Sequence, residues 1–202
     1  GRLHAYETID PRKTALVVID LDIGTVKRDD RCEGLVEPIN TLAAAVRKSG
    51  GVVAWVTTPI TKLGENFIAL IGAKRAQDYL HSSQPAAPGG GVKLWPALGY
   101  QAGDLVAAKK GASAFFPGKC NLHEQLRALG IDTLLITGTV TNVCCESSGR
   151  DAAELDYKVT MVSDCLMGHS YGLHEASLGT FYRIFGDVRP SYEVIRLLSF
   201  LA

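Results

Sequence analysis

The chain has 202 residues, of which 47% are hydrophobic and 21% are charged, and its 21 basic residues balance its 21 acidic residues. This length and composition are typical of a globular protein with a sizeable core. The zero net charge gives no electrostatic reason to expect a nucleic acid or an anionic membrane as a partner, and no apolar run approaches the roughly 20 residues of a membrane span.

The cysteines indicate a reducing compartment. There are five, an odd number, and no two of them form a C-x-x-C pair. A disulfide framework or a zinc ribbon is therefore not expected. The first residues lack the basic-then-apolar order of a signal peptide. We predict a cytoplasmic protein in which each cysteine either fills the core or acts as a nucleophile.

Strand patterns and helix patterns alternate along the chain. The β-branched run from Thr14 to Asp20 predicts a first strand, and hydrophobic residues at helical spacing after it predict a helix that ends at Gly50 and Gly51. The later predictions are a strand at 52–58, an irregular region at 60–91, a strand within 103–111, a helix at 121–131, a strand at 132–138, a helix at 142–155, a strand at 157–164, and helices at 174–186 and 190–201.

This alternation predicts an α/β fold with three α-β-α layers and a mostly parallel central sheet, because parallel strands need helical crossovers that cover both faces. The chain shows no internal repeat and no change of composition along its length. Residues 1–202 are therefore predicted to form a single domain.

Polar residues with complementary chemistry follow three of the predicted strands. They are Asp20, the pair Lys109 and Lys110, and Cys144 near the start of a helix. Ligands bind at the carboxyl ends of parallel strands. There a carboxylate can take the thiol proton, and an ammonium group and helix N–H groups can stabilise the thiolate. From the residues alone, other roles stay open: Asp20 as a helix cap, the lysines as solvated surface, and Cys144 as core filler.

Three segments, in this order, resemble the isochorismatase-like cysteine hydrolases. They are the strand that ends at Asp20, the run KKGASAF from Lys109 to Phe115, and the run GTVTNVC from Gly138 to Cys144 with Arg150-Asp151-Ala152 after it. The resemblance extends from Lys13 to Asp164 and is weak between 60 and 99. It implies an isochorismatase-like, Rossmann-like sheet.

The same resemblance implies the catalytic residues. The triad is Asp20, Lys109 and Cys144. Lys109 is preferred to Lys110 because it stands four residues before a serine, as the family's lysine does, and Cys144 is preferred to Cys145 because the family has an apolar residue after the nucleophile. The family also has a cis peptide bond before the nucleophile, here between Thr139 and Val140. It would place the N–H groups of Val140 and Cys144 as an oxyanion hole.

Two departures from the family pattern matter. Asp22 stands where the family commonly has glutamine, and two close carboxylates raise one of their pKa values. The metal-binding members carry histidine after the second strand, but the segment TTPITKLGENF has none. We therefore predict no metal and no cofactor. Because the members that hydrolyse isochorismate lack the cysteine, Cys144 argues against that chemistry.

The predicted function is hydrolysis of a C–N bond in a small amide or N-carbamoyl (ureido) compound through a thioester. The alternatives are a non-catalytic binding or scaffold member of the fold and isochorismatase-type ether hydrolysis. A homodimer or homotetramer is expected if the apolar end VIRLLSFLA forms an interface, although the same residues could instead cover the sheet. The candidate substrate-binding residues are Trp55, Ile60, Asn66, Phe67, Phe115 and Tyr171.

Overall fold

The computed structural model describes residues 3–60, 62–82 and 93–199, and these residues form a six-stranded sheet between two layers of helices. All five strand pairs are parallel, and the strand order is β3-β2-β1-β4-β5-β6. The strands are β1 (Thr14–Ile19), β2 (Val52–Thr57), β3 (Leu105–Ala108), β4 (Thr133–Thr139), β5 (Lys158–Met167) and β6 (Asp187–Arg189). The predicted three-layer α/β fold is confirmed.

The two central strands explain why the sheet needs cover on both faces. Every residue of β1 and β4 is buried, as expected for strands whose side chains are apolar on both sides. Residues Ala15, Val17 and Ile19 of β1 belong to one core cluster, and Leu16 and Val18 belong to the other. The alternation of side chains along a strand therefore divides one apolar run between two cores.

Helices supply both outer layers. Those of the described residues are α1 (Ile23–Arg28), α2 (Val36–Lys48), α3 (Glu65–Ile71), α4 (Ala73–Ser82), α5 (Leu122–Ala128), α6 (Glu146–Glu154), α7 (Tyr171–Ile184) and α8 (Ser191–Ser199). The buried residues of α2 and α8 pack in the core cluster of Leu16, whereas those of α5, α6 and α7 pack in the cluster of Val17. None of the helices in the described ranges is long and apolar enough to cross a membrane.

The prediction missed four elements. The short helix α1 and the short edge strand β6 were not predicted, and helices α3 and α4 occupy part of the region predicted to be irregular. These two helices leave most of their residues exposed, so they lack the apolar stripe by which a helix is recognised. Residues 83–91 of the predicted loop, together with residues 200–202, lie outside the described residues.

The apolar end of the chain covers the sheet. Val194 and Leu198 of α8 are each 1% exposed and pack in the core cluster of Leu16. The segment VIRLLSFLA could either form an interface or cover the sheet. Its described residues 194–198 cover the sheet.

Candidate active site

Three of the parallel strands bring the candidate residues together at the carboxyl ends of the strands. Asp20 follows β1, Lys109 follows β3, and Cys144 lies in the turn after β4. The ladder continues one residue past β1 and β3, because the N–H of Asp20 donates to the carbonyl of Val56 and that of Lys109 donates to the carbonyl of Thr57, each at 2.9 Å. The backbone of the sheet thus fixes where these two side chains start.

The Asp20 side chain points into the protein at the end of β1. Its φ of 55° is in the left-handed region, which aspartate tolerates better than most residues. The side chain is buried, and its two oxygens have different partners. Oδ1 accepts a hydrogen bond from the Thr58 hydroxyl at 2.7 Å, and Oδ2 lies 2.8 Å from the Lys109 ammonium.

Lys109 joins the carboxylate to the thiol. Its side chain is 1% exposed, and besides the contact with Asp20 its Nζ donates to the Cys144 sulfur at 3.3 Å and to the Gly111 carbonyl at 3.1 Å. These three acceptors satisfy the three donors of an ammonium group. Burial lowers the pKa of Lys109, but the charges and hydrogen bonds of Asp20 and Cys144 outweigh it and raise the pKa above its ordinary value. The lysine therefore stays charged.

Cys144 lies in an irregular turn between β4 and α6. The peptide bond between Thr139 and Val140 is cis, at the position implied by the resemblance, and a π-helical turn follows at Thr141–Cys145. The Val140 carbonyl accepts hydrogen bonds from the N–H groups of Val143 at 3.0 Å and Cys145 at 3.2 Å. π-Helical turns occur often at functional sites.

The turn is anchored from α7 and α6. Thr141 Oγ1 lies 2.9 Å from His174 Nδ1, and the Ser177 hydroxyl donates to Glu146 at 2.6 Å. The Ser148 hydroxyl donates to the Cys144 carbonyl at 2.6 Å. These hydrogen bonds hold the backbone of the turn on both sides of the partly buried Cys144 sulfur.

The resting thiol is protonated, which differs from the expectation that its surroundings favour the thiolate. Burial and the neighbouring charge of Asp20 raise the pKa of Cys144 to about 11, although Lys109 acts in the opposite direction. Lys109 therefore does not outweigh burial and Asp20. Lys109 holds the Asp20 carboxylate and the Cys144 sulfur beside each other, so Asp20 is the candidate to take the thiol proton.

Asp22 supports a helix instead of the triad. Its Oδ1 accepts from the Thr25 N–H at 2.8 Å and its Oδ2 accepts from the Thr25 hydroxyl at 3.2 Å, so it caps α1. Burial, and to a smaller extent the charge of Asp20, raises the pKa of Asp22. Asp22 therefore has a raised pKa, as expected for one of two close carboxylates.

Two of the candidate substrate-binding residues were predicted wrongly. Trp55 is 0% exposed, packs in the core cluster of Leu16, and donates its indole N–H to Asp104 at 2.7 Å. Phe115 is 2% exposed and packs edge-to-face on Tyr157. Neither ring has surface left for a substrate, because each side chain completes a core.

The other four candidates are accessible. Ile60 is half-buried, Asn66 and Phe67 are exposed on α3, and Tyr171 is 80% exposed at the start of α7. The Phe67 ring contacts that of Tyr79 on α4 at a centroid distance of 5.9 Å. Their roles in substrate binding stay predictions.

Sequence reasoning missed Thr58, Tyr79 and Arg28, which lie at or beside this edge of the sheet. Thr58 follows the second strand, so the strand-end rule could have found it. Tyr79 and Arg28 carry no comparable signal, because α4 lies in the region that was predicted to be irregular and Arg28 ends a short helix.

The second cysteine and the histidines do not join the triad. Cys145 is 0% exposed, and its sulfur lies 3.8 Å from the Thr137 carbonyl. His123 hydrogen-bonds to Tyr157, and His174 to the turn. Across the described ranges, no group of three or more His, Cys, Asp or Glu side chains could hold a metal ion.

Three comparisons relate the chain to known proteins. It is 32% identical over 194 residues to the uncharacterized isochorismatase family protein YwoC of Bacillus subtilis (strain 168), covering 93% of this chain and 95% of that protein. It is 35% identical over 125 residues to the ureidoacrylate amidohydrolase RutB of Variovorax paradoxus (strain S110), covering 60% of this chain and 48% of that protein. The crystal structure of a cysteine hydrolase from Pseudomonas syringae pv. phaseolicola 1448A matches with a TM-score of 0.79 at 27% identity, covering 100% of this chain and 99% of that one.

The family model for the isochorismatase domain matches residues 14–192. This range begins at β1 and extends into α8, so it includes every strand of the sheet and all three residues at its carboxyl edge. The agreement of the domain match, the whole-length relative and the solved structure leads to one conclusion: the chain belongs to the isochorismatase family.

Proposed function

We propose that the protein is a cysteine-dependent amidohydrolase that cleaves a C–N bond of a small amide or N-carbamoyl compound through a thioester. The observation that carries this proposal is the position of the Lys109 ammonium, 2.8 Å from the Asp20 carboxylate and 3.3 Å from the Cys144 sulfur. A carboxylate and a thiol that share one ammonium group at the carboxyl ends of parallel strands support the roles of base, nucleophile and cation that we propose for them.

The first half of the reaction transfers the acyl group to the enzyme. Asp20 takes the proton of the Cys144 thiol as the sulfur attacks the carbonyl carbon, so that a C–S bond forms and the carbonyl oxygen becomes an oxyanion. The N–H groups of Val140 and Cys144 bind that oxyanion, an interaction worth roughly 3 kcal/mol per donor. When the intermediate collapses, the C–N bond breaks and Asp20 gives its proton to the leaving nitrogen.

The second half releases the acid. Asp20 takes a proton from a water molecule that attacks the thioester, the C–S bond breaks, and Asp20 returns the proton to the sulfur. The raised pKa of Cys144, about 11, suits this cycle because the thiolate is a transient form that readily takes the proton back. Lys109 keeps its charge throughout and balances whichever of its two partners is anionic.

Two further observations support the proposal. The amidohydrolase RutB and the cysteine hydrolase of Pseudomonas syringae are relatives whose names describe this type of reaction. Cys144 is a free thiol in the structure, as a nucleophile must be.

The test compares the two adjacent cysteines in an assay for ammonia release across a panel of small amides and N-carbamoyl compounds. Cys144→Ser should lose at least about 10³-fold in kcat, because removal of a nucleophile abolishes the covalent path. Cys145→Ser should retain most activity, since that side chain is buried and its sulfur donates to the Thr137 carbonyl.

The same panel separates the alternatives. Equal activity in the two variants would show that Cys144 is not the nucleophile. If the wild type releases no ammonia from any compound, the non-catalytic member of the fold or the ether hydrolase becomes the better description. An isochorismate assay then decides between these two.

A further inference from the structure

The Ser148 hydroxyl joins two segments of the candidate active site. Ser148 lies in the first turn of α6 and is 0% exposed. Its Oγ accepts a hydrogen bond from the Ala114 N–H at 2.9 Å and donates one to the Cys144 carbonyl at 2.6 Å. Because a hydroxyl group has a single proton to donate, these two bonds fix its orientation. The backbone that follows Lys109 is thereby tied to the backbone of the nucleophile.

The segment from Lys109 to Phe115 carries the ammonium group of the triad. Near its start the Lys110 N–H donates to the Lys119 carbonyl at 2.8 Å, and at its end the Phe115 ring packs in the core. The Lys109 Nζ donates to the Gly111 carbonyl at 3.1 Å, so the segment folds back over its own ammonium group. A shift of the segment would therefore move the ammonium group with it.

Two connections link this segment to Cys144. One is the contact of 3.3 Å between the Lys109 Nζ and the sulfur, which is made by the end of a long, flexible side chain. The other is the Ser148 hydroxyl, which joins backbone to backbone. A flexible side chain keeps a contact at a lower entropic cost when its own backbone is fixed relative to the partner. The second connection therefore holds the first in place.

The contact between the lysine and the sulfur matters most when the thiol loses its proton. Lys109 lowers the pKa of Cys144, against the effects of burial and of Asp20. The attraction between an ammonium group and a thiolate decreases with distance, whereas an uncharged thiol depends much less on that distance. A looser segment would thus raise the energy of the thiolate more than that of the resting thiol, and would slow the steps that pass through it.

We propose that Ser148 is a positioning residue, whose hydroxyl keeps the Lys109 ammonium group beside the Cys144 sulfur while the thiolate forms. This inference deepens the proposed function and rests on it only where turnover is concerned. Ser148 acts through Lys109 and does not touch a substrate, because its side chain is fully buried.

The first experiment measures how fast iodoacetamide alkylates Cys144 between pH 7 and 9, with the modified cysteine identified by mass spectrometry. Ser148→Ala should slow the reaction by about 2- to 5-fold at each pH, because a less closely held ammonium group leaves a smaller fraction of thiolate, and the higher nucleophilicity of a weaker acid offsets part of the effect. Ser148→Thr retains a hydroxyl group and should keep most of the wild-type rate.

The direction of the change separates positioning from a loss of structure. A variant that only loosened the packing would expose the sulfur, so Cys144 would react faster and the buried Cys145 would begin to react as well. Unchanged or faster alkylation of Cys144 in Ser148→Ala would therefore overturn the proposal.

The matched control for stability is Thr14→Val. It removes another fully buried hydroxyl group, which donates to the Asp10 carbonyl at 2.7 Å at the opposite end of β1. The change should lower the free energy of unfolding, measured by urea denaturation, but leave the alkylation of Cys144 unaltered. Equal slowing in Thr14→Val and Ser148→Ala would mean that the effect comes from stability, which contradicts the proposal.

A double-mutant cycle tests whether Ser148 acts through Lys109. Lys109→Met removes the ammonium group and should slow alkylation on its own. Adding Ser148→Ala to Lys109→Met should slow it no further, because the group that the hydroxyl positions is already gone. Losses that simply multiply would show that Ser148 acts independently of the lysine and would refute the proposed role.

Turnover gives a separate readout. In the ammonia-release assay, Ser148→Ala should lower kcat by about 10- to 100-fold and change KM by less than about 2-fold, since a buried positioning group affects the reacting state and not substrate binding. A loss confined to KM would contradict this role. If the wild type cleaves no amide, the proposed function fails, but the alkylation rates still decide the role of Ser148.

Ser148→Cys keeps the test decisive if Ser148→Ala does not fold. It preserves the size of the side chain, but a thiol is a weak hydrogen-bond donor and acceptor. Alkylation of Cys144 should be slowed in the same direction as in Ser148→Ala, though by less. A folded Ser148→Cys variant with the alkylation rate and kcat of the wild type would overturn the proposal.

Discussion

Asp20 controls the proton of Cys144. Burial is the largest cause that raises the pKa of the thiol, the Asp20 carboxylate raises it further, and Lys109 lowers it. The thiol therefore keeps its proton at neutral pH. The reactivity of the sulfur is therefore determined by proton transfer to a specific neighbour and not by a standing thiolate.

The Asp20→Asn variant should separate thiol reactivity from turnover. With the carboxylate charge removed and Lys109 retained, the pKa of Cys144 falls below about 11. A larger fraction of the sulfur is then thiolate at pH 7, and alkylation by iodoacetamide becomes faster. Ammonia release should nevertheless be lost, since no group remains to take the thiol proton or to protonate the leaving nitrogen.

The measurement is a pH profile of Cys144 alkylation in both proteins. The midpoint should lie near pH 11 in the wild type and lower in the variant. Asp22→Asn is the control, because asparagine can also cap α1 and the triad keeps its base. A variant midpoint equal to or above that of the wild type would show that Asp20 does not set the pKa of the thiol.

The strand-end residues could be predicted because each follows a run with a clear apolar pattern. Asp20 ends the most regular of these runs, and the GTVTNVC segment follows another. Trp55 and Phe115 could not be assigned in this way. Trp55 lies within the second strand and Phe115 follows Ala114 in the KKGASAF run, and an aromatic residue in either place suits a pocket and a core equally well. Only the packing of α2 against Trp55 and of Tyr157 against Phe115 shows that both are core.

At the level of elements, the close contact between β1 and β4 depends on Gly138. Gly138 pairs with Ile19, has a φ of 105°, and has room only for hydrogen, since an added Cβ would lie 2.1 Å from the Ile19 carbonyl oxygen. This glycine lets the chain leave the strand in the direction of the turn that holds Cys144.

Gly138→Ala should therefore lower the free energy of unfolding by about 3 kcal/mol or more, from backbone strain and from the clash with β1. Gly179→Ala is the matched control: this glycine lies within α7 with nothing within 4 Å of the added methyl group. That change should stabilise the helix by up to about 1 kcal/mol. Urea denaturation measures both. Equal stabilities of the two variants would show that β1 does not exclude a side chain at position 138.

At the scale of the whole molecule, Leu173 and Ile184 form an exposed apolar surface on α7. They are 48% and 74% exposed and share one face of the helix, because they are about three turns apart, whereas Tyr171 and Tyr182, 80% and 41% exposed, lie on another side. Because the end of the chain covers the sheet, this surface of α7 is the better site for the homodimer or homotetramer that we expect. α7 also contacts the turn of Cys144, so an interface there would adjoin the active site.

Light scattering at micromolar concentration should report an oligomer for the wild type and a smaller species for Ile184→Glu, because a buried unpaired charge opposes association. Leu70→Glu is the control, since Leu70 is 75% exposed but lies on α3. A monomeric wild type would remove the proposal of self-association, and an unchanged Ile184→Glu oligomer would remove α7 from the interface.

The triad lies on the sheet, whereas Phe67 and Tyr79 lie on α3 and α4, and this arrangement has an evolutionary consequence. The triad is attached to buried strands, where most substitutions are costly, whereas α3 and α4 expose most of their residues, and among the described side chains of these two helices only Ala76 is buried. Changes there carry little penalty in stability, yet Phe67 and Tyr79 belong to these helices. Proteins with this architecture can therefore acquire new substrates through substitutions in α3 and α4 while they keep the same triad.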